Sequence, residues 1–208
     1  MSQRMATVSG LTAIVLWASL ALLTDMSGGV PPLQLTAMTF GVAGVIGSLV
    51  LTMRREIAKL RQPAYVWLLG VGGLFGYHAL YFTALRLAPA MEASLVAYTW
   101  PLLIILLASC TTGELLSSRH LLGALAGFAG MVLIATEGDL LALRIEAPMG
   151  FAIAFAAPCV WASYSVLSHR IASVPSVAVV GYCAATACLA AVAHLAFETS
   201  VWPESARQ

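Results

Sequence analysis

The chain has 208 residues, of which 61% are hydrophobic and only 9% charged, with a formal net charge of +1. Soluble domains carry about 25% charged residues, so this composition and a mean hydropathy of +0.93 exclude an ordinary soluble globule and leave an integral membrane protein. The near-neutral charge offers no electrostatic footprint for nucleic acid.

Seven apolar segments of helical length follow one another, approximately Met5–Leu23, Leu33–Met53, Ala64–Leu85, Ala90–Cys110, Leu121–Thr136, Met149–Ser168 and Val177–Phe197, separated by breaks rich in Pro, Gly and charge. Their length excludes the short alternating strands of a membrane barrel. The cysteines Cys110, Cys159, Cys183 and Cys188 all lie inside apolar runs, without zinc-site or disulfide-framework spacing, and read as small membrane-core residues. No metal or cofactor is expected.

The first segment competes with a signal peptide. Its apolar run exceeds the 7–15 residues of a signal core, and no small-x-small cleavage site follows, so it reads as a true span carrying Trp17. After the second segment come Arg54, Arg55, Lys59 and Arg61, and beside this basic loop Tyr65 and Trp67 read as interfacial anchors. The third segment contains "GVGGLFG", Gly70–Gly76, which mimics a dinucleotide fingerprint but lies inside a spanning run without a preceding strand, and so signals close helix packing. Tyr77 and Tyr81 follow, four apart and hence stacked on one helix face, with the ionisable His78 at the edge of that face. They form an aromatic wall or, on the alternative reading, pack against neighbouring helices.

The fourth segment, "EASLVAYTWPLLIILLASC", is interrupted at its centre. Pro101 has no N–H for the carbonyl of Ala97, and backbone freed in lipid is tolerated only against protein or a wet cavity. Tyr98 and Trp100, two apart, would point about 200° apart on a regular helix and can share a side only if the helix breaks at Pro101. The segment is therefore expected to be a discontinuous helix bordering a binding cavity; the alternative is a kink used only for packing. Glu92 opens this segment, where a carboxylate suits the positive helix end; proton coupling through Glu92 or His78 is the second possibility. Glu114 reads as a loop residue, and Gly123 with Gly127 signals close packing of the fifth helix.

The sixth segment repeats the first. A constant shift of 144 residues places Trp17 on Trp161, Ser19 on Ser163, Leu23 on Leu167 and Pro31 on Pro175. Trp161 is followed on its face by Ser165 and Ser168, as Trp17 is by Ala21 and Thr24, and cavity lining is weighed against helix packing for both tryptophans. Five helices separate the copies, an odd number, so they enter the membrane from opposite sides, as in the inverted repeats of secondary transporters. With a cytoplasmic N-terminus, Arg4, Arg54, Arg55, Lys59, Arg61, Arg119 and Arg170 fall inside and only Arg86, Arg144 and Arg207 outside, which favours that orientation.

The run from Gly76 to Ile134, with "YTWP", then "GE" and a Gly-rich helix, together with "AIVLWAS" and "CVWASY", resembles EamA-domain exporters of the drug/metabolite transporter superfamily, most closely their YddG-type aromatic amino acid exporter branch. The resemblance implies an all-α integral membrane fold of two inverted five-helix repeats. Residues 1–140 would form the first repeat and 148–208 the start of the second, leaving a C-terminal remainder to supply helices 8–10. It implies alternating-access export of small amphipathic metabolites, foremost aromatic or apolar amino acids, from the inner membrane, with the lipid bilayer and a small-molecule substrate as partners. A multidrug exporter of planar cations such as paraquat and a non-transporting assembly subunit are the alternatives. An intramembrane enzyme would need a motif such as HExxH or GxSxG, and neither occurs. Trp17, Tyr77, His78, Tyr81, Tyr98, Trp100, Pro101, Trp161 and Ser165 are the candidate substrate-binding residues.

Overall fold

The computed structural model describes residues 3–112, 118–136, 138–139 and 147–202. Among these the regular structure is helical: α1 (Gln3–Ala18), α2 (Leu20–Met26), α3 (Pro32–Met53), α4 (Ala64–Leu87), α5 (Ala90–Ala97), α6 (Trp100–Thr112), α7 (Ser118–Ala135), α8 (Pro148–Ser168) and α9 (Ala178–Phe197). Short 3-10 turns cover Ile57–Leu60 and His169–Ile171. Among the described residues six stretches are long and apolar enough to cross a membrane, including Gln3–Thr24, which joins α1 to α2, and Ala90–Thr111, which joins α5 to α6. The remaining apolar segment of the sequence forms the 18-residue α7. Glu114 and Arg144 lie outside the described residues, as does Arg207.

Proline sets where these helices start. Pro32 and Pro148 occupy the first turns of α3 and α8, and Pro63 and Pro89 immediately precede α4 and α5. Its fixed φ suits the first helical turn, where the missing N–H costs nothing. The end of α3 is marked differently: Arg55 has φ +55°, the Arg55 N–H donates to the Thr52 carbonyl at 3.0 Å, and the Glu56 N–H donates to Leu51 at 2.8 Å. That is the paired closing geometry usually built on glycine. In the following turn the Lys59 ammonium donates to Glu56 at 2.5 Å and holds that carboxyl below the usual carboxylate range.

Two units can be distinguished, a small one built on α1 and α2 and a larger one, Pro31–Ser200. In the first, the α1–α2 junction at Ser19 keeps helical bonding, with Ser19 N–H donating to Val15 and Leu23 N–H to Ser19.

Within the larger unit α3 packs on α9 and α4 on α8. Glycine permits both contacts. Gly41 faces Ala187, Gly44 faces the backbone of Ala184, and Gly47 faces Val180, so numbering rises along α3 as it falls along α9. The two helices are antiparallel. Opposed directions are what an inverted repeat would require of these two segments. In the same way Gly73 faces Tyr164, Gly76 faces Val160 and Gly150 faces Leu87, which makes α4 and α8 antiparallel. The "GVGGLFG" run thus does bring helices close: the ring of Tyr182 covers Gly70 and that of Tyr164 covers Gly73, while Gly72 faces open space.

Two expectations need correction. Gly123 and Gly127 have no heavy atom within 4 Å of where a Cβ would stand, so they do not mediate close packing among the described residues. Trp67 turns inward, its ring against Gly181 and edge-on to Tyr182 at 5.6 Å, because Gly181 leaves room for it on α9; only Tyr65 stays exposed as an interfacial anchor would. Cys110 and Cys188 are exposed on their helices, within the membrane-length stretches Ala90–Thr111 and Ala178–Phe197.

The α3–α9 contact yields a prediction. A Cβ on Gly44 would lie 3.0 Å from the Cα of Ala184, where only backbone could yield. Gly44→Val is expected to cost about 1–3 kcal/mol through overpacking and to lower the thermal midpoint of the detergent-purified protein, while Gly72→Val leaves it unchanged. Equal midpoints for the two variants would contradict this packing.

Candidate functional site

The aromatic wall forms on the inner face of α4. Tyr77 and Tyr81 stack with centroids 5.6 Å apart and planes 9° from parallel, as four-residue spacing on a helix dictates. Trp161 of α8 approaches Tyr77 at 5.1 Å and Tyr164 at 5.4 Å, continuing the ring surface across the α4–α8 contact. His78 lies against the edge of the wall, 5.1 Å from Tyr77, and meets Phe40 of α3 edge-on at 4.7 Å. Its Nδ1 donates to the Leu74 carbonyl at 2.8 Å; since a carbonyl only accepts, the proton sits on Nδ1 and a neutral ring presents Nε2 as an acceptor.

The interrupted segment meets this wall. Helix α5 stops at Ala97 and α6 begins at Trp100, leaving Tyr98 and Thr99 in a turn. The Tyr98 N–H still reaches Ser94 at 2.8 Å, but the Thr99 N–H bonds to Val96 in a tightened turn, and Pro101 offers Ala97 no donor. The Tyr81 hydroxyl lies 3.3 Å from Ser94 Oγ, tying α4 to α5. Tyr98, 38% exposed, is within electrostatic reach of both Tyr77 and Tyr81. Trp100 is half-buried at the start of α6, which packs on α8.

A second interior proline was not singled out from the sequence. Pro158 sits fully buried within α8, three residues before Trp161, and denies the buried Ala154 carbonyl its i+4 donor. Its signal was plain: a proline mid-span has the same meaning at Pro158 as at Pro101. Two packed elements, α5–α6 and α8, therefore each carry a carbonyl without its i+4 bond.

The other expected residues are distributed unevenly. Ser165 is half-buried one turn beyond Trp161. Glu92 is in the first turn of α5 and only 7% exposed, so a carboxylate does sit near this region, at the positive end of a helix. Trp17 is 55% exposed and belongs to the small unit with α1 and α2. No group of three metal-ligating side chains occurs among the described residues.

Residues far from the wall were also missed. His194 and Glu198 at the end of α9 form a polar cluster with the start of α3: Glu198 Oε1 accepts from Leu33 N–H at 3.0 Å, and Oε2 from Gln34 N–H at 3.1 Å and His194 Nδ1 at 2.8 Å. The signal was two local violations. The α3 start "PPLQ" has no capping side chain, and "FE" puts a carboxylate at the unfavourable end of α9.

Membrane-length apolar helices, packed in antiparallel pairs beside an aromatic cluster, define a multi-pass membrane protein. The EamA-like transporter family model matches residues 4–136, and the chain belongs to that family. It is 48% identical over 205 residues to the aromatic amino acid exporter YddG of Ancylobacter novellus, covering 98% of this chain and 71% of that protein. The Salmonella typhimurium protein of the same name is 26% identical over 184 residues, with 83% of this chain and 61% of that one covered. A transporter of Bacillus subtilis, YyaM, is 29% identical over 143 residues, covering 67% and 47%. A solved crystal structure superposes with a TM-score of 0.83 at 47% identity over 98% of this chain and 71% of that one.

Proposed function

We propose that the chain exports aromatic or apolar amino acids by alternating access around the Tyr77–Trp161 wall, in the inner membrane and with a cytoplasmic N-terminus. The observation that carries this reading is the continuous uncharged ring surface of Tyr81, Tyr77, Trp161 and Tyr164, shared between two antiparallel helices. Aromatic side chains stack on such a surface at about 0.5–1.5 kcal/mol per ring pair beyond area burial. The carbonyls of Ala97 and Ala154, relieved of their usual donors by Pro101 and Pro158, are suited to an ammonium group, as are ring faces. The names of the Ancylobacter and Salmonella relatives agree with that substrate class. On this reading residues 1–140 and 148–208 belong to opposite repeats.

Glu92 supports a second reading, a planar organic cation such as paraquat, because it puts a buried carboxylate on the element that meets the wall. The same group and His78 are the candidates for proton coupling. Competition decides between the two substrates. In vesicles holding the complete transporter, unlabelled phenylalanine is expected to inhibit labelled tryptophan transport, paraquat to leave it unchanged, and Glu92→Gln to keep this preference. Inhibition by paraquat that disappears in Glu92→Gln would instead select the cation reading.

A further inference from the structure

The cluster at the end of α9 does more than close a helix. Helix α3 begins at Pro32 after Pro31, with no side-chain cap of its own. Its first-turn amides at Leu33 and Gln34 are satisfied by Glu198, which stands at the carboxyl end of α9. His194, only 7% exposed, fixes that carboxylate through Nδ1 at 2.8 Å and is itself held by Ser200 Oγ on Nε2 at 2.8 Å. Three donors converge on one carboxylate, which is the geometry that fixes a charged side chain in a single position.

The contact between α3 and α9 explains why such a device is needed. Gly41, Gly44 and Gly47 of α3 face Ala187, Ala184 and Val180 of α9. Small residues let backbones approach closely but supply few large side chains to interlock, so they fix separation better than axial register. The bonds from Glu198 fix register. They do so at one end only: Arg54, at the carboxyl end of α3, holds the repeat position of Glu198 (54 plus the shift of 144 gives 198) and cannot accept a hydrogen bond. At that end the first amides of α9 bond within their own turn, Ala178 to Pro175 at 2.9 Å and Val179 to Ser176 at 3.2 Å.

Seven residues beyond Leu33, about two helical turns, α3 presents Phe40. Its ring meets His78 at 4.7 Å, and His78 meets Tyr77 at 5.1 Å. We propose that Glu198 and His194 are positioning residues for the solute site: their clasp sets the axial register of α3 against α9, and through Phe40 and His78 the pose of the Tyr77 ring. This rests on the aromatic wall being the binding surface.

The test uses the complete transporter and measures half-saturating concentration, maximal rate and membrane abundance for an aromatic amino acid. Glu198→Ala and His194→Ala are each expected to raise the half-saturating concentration about tenfold with abundance near normal, the scale of coupling between residues in one network. His194→Asn, which keeps a donor at the Nδ1 position, is expected to restore most of the affinity. With Phe40→Ala already present, Glu198→Ala is expected to add less than about twofold, because the route to the wall is already cut. Should Glu198→Ala fail to accumulate, the His194→Ala and His194→Asn pair gives the answer alone. Abundance falling in step with transport in all variants, a change in maximal rate without a change in affinity, or full additivity with Phe40→Ala would each overturn the proposal. Tyr77→Ala is the control: if it weakens affinity and the clasp variants do not, the clasp is wrong and the wall stands, whereas if Tyr77→Ala changes nothing, both readings fall together.

Discussion

Replacing Tyr77 or Trp161 with alanine is expected to lower the apparent affinity for an aromatic amino acid by roughly 10- to 100-fold while leaving the amount of protein in the membrane near normal. The magnitude follows from the geometry. Tyr77 meets Tyr81, His78 and Trp161, so its removal deletes a face of the wall and loosens the rings on both sides of it. Loss of one stacked ring and its buried area amounts to about 1.5–3 kcal/mol, and each 1.4 kcal/mol is tenfold in affinity. Phenylalanine at position 77 keeps the stack and is expected to retain most of the affinity, which separates a ring contact from a hydroxyl contact. The measurement is concentration-dependent transport in vesicles, with abundance read from the same membranes. If affinity is unchanged in both alanine variants, or if abundance drops in proportion to transport, the rings serve packing and the binding reading of the wall is wrong.

How much of this was legible in the sequence depends on the range of the interaction. Tyr77 and Tyr81 stack because of helix periodicity, and periodicity can be read from one segment alone. The interruption between α5 and α6 follows as directly from Pro101, whose chemistry is local. Counting spans between two copies of one motif implies opposed directions for the first and sixth segments, and the helices that follow them, α3 and α9, run antiparallel. What could not be read was tertiary partnership. That Phe40 would meet His78, and that Glu198 would accept from Leu33, 165 residues earlier in the chain, both depend on which helices become neighbours. Gly123 and Gly127 show the converse error: a small-residue spacing permits close approach but does not supply the helix that approaches. The useful clue was local inconsistency. An uncapped α3 start and a carboxylate at the wrong end of α9 are each unfavourable alone, and together they are one interaction.

Pro101→Ala is expected to move stability and transport in opposite directions. Pro101 lies in the first turn of α6, where its missing N–H costs little, but within a continuous helix a proline would cost about 3 kcal/mol relative to alanine, so the residue holds the interruption in place. Alanine would return an N–H to the Ala97 carbonyl and let α5 run into α6 through Tyr98 and Thr99, which now form the turn between them. The thermal midpoint of the purified protein is therefore expected to hold or rise. Continuity also changes where the rings point. On an unbroken helix Tyr98 and Trp100 diverge by about 200°, so at least one of them leaves the side that faces the wall. Tyr98 is now within electrostatic reach of Tyr77 and Tyr81, and the adjoining α5 is tied to α4 by the Tyr81–Ser94 contact, so the change falls on the site directly. Transport of an aromatic amino acid is expected to fall by about tenfold or more, the loss that displacement of a single positioning group produces. A purely structural kink predicts the reverse pairing, in which gained stability comes with unchanged transport. Measuring both quantities on the same preparation distinguishes them, and normal transport in a more stable Pro101→Ala protein would remove the interrupted helix from the site.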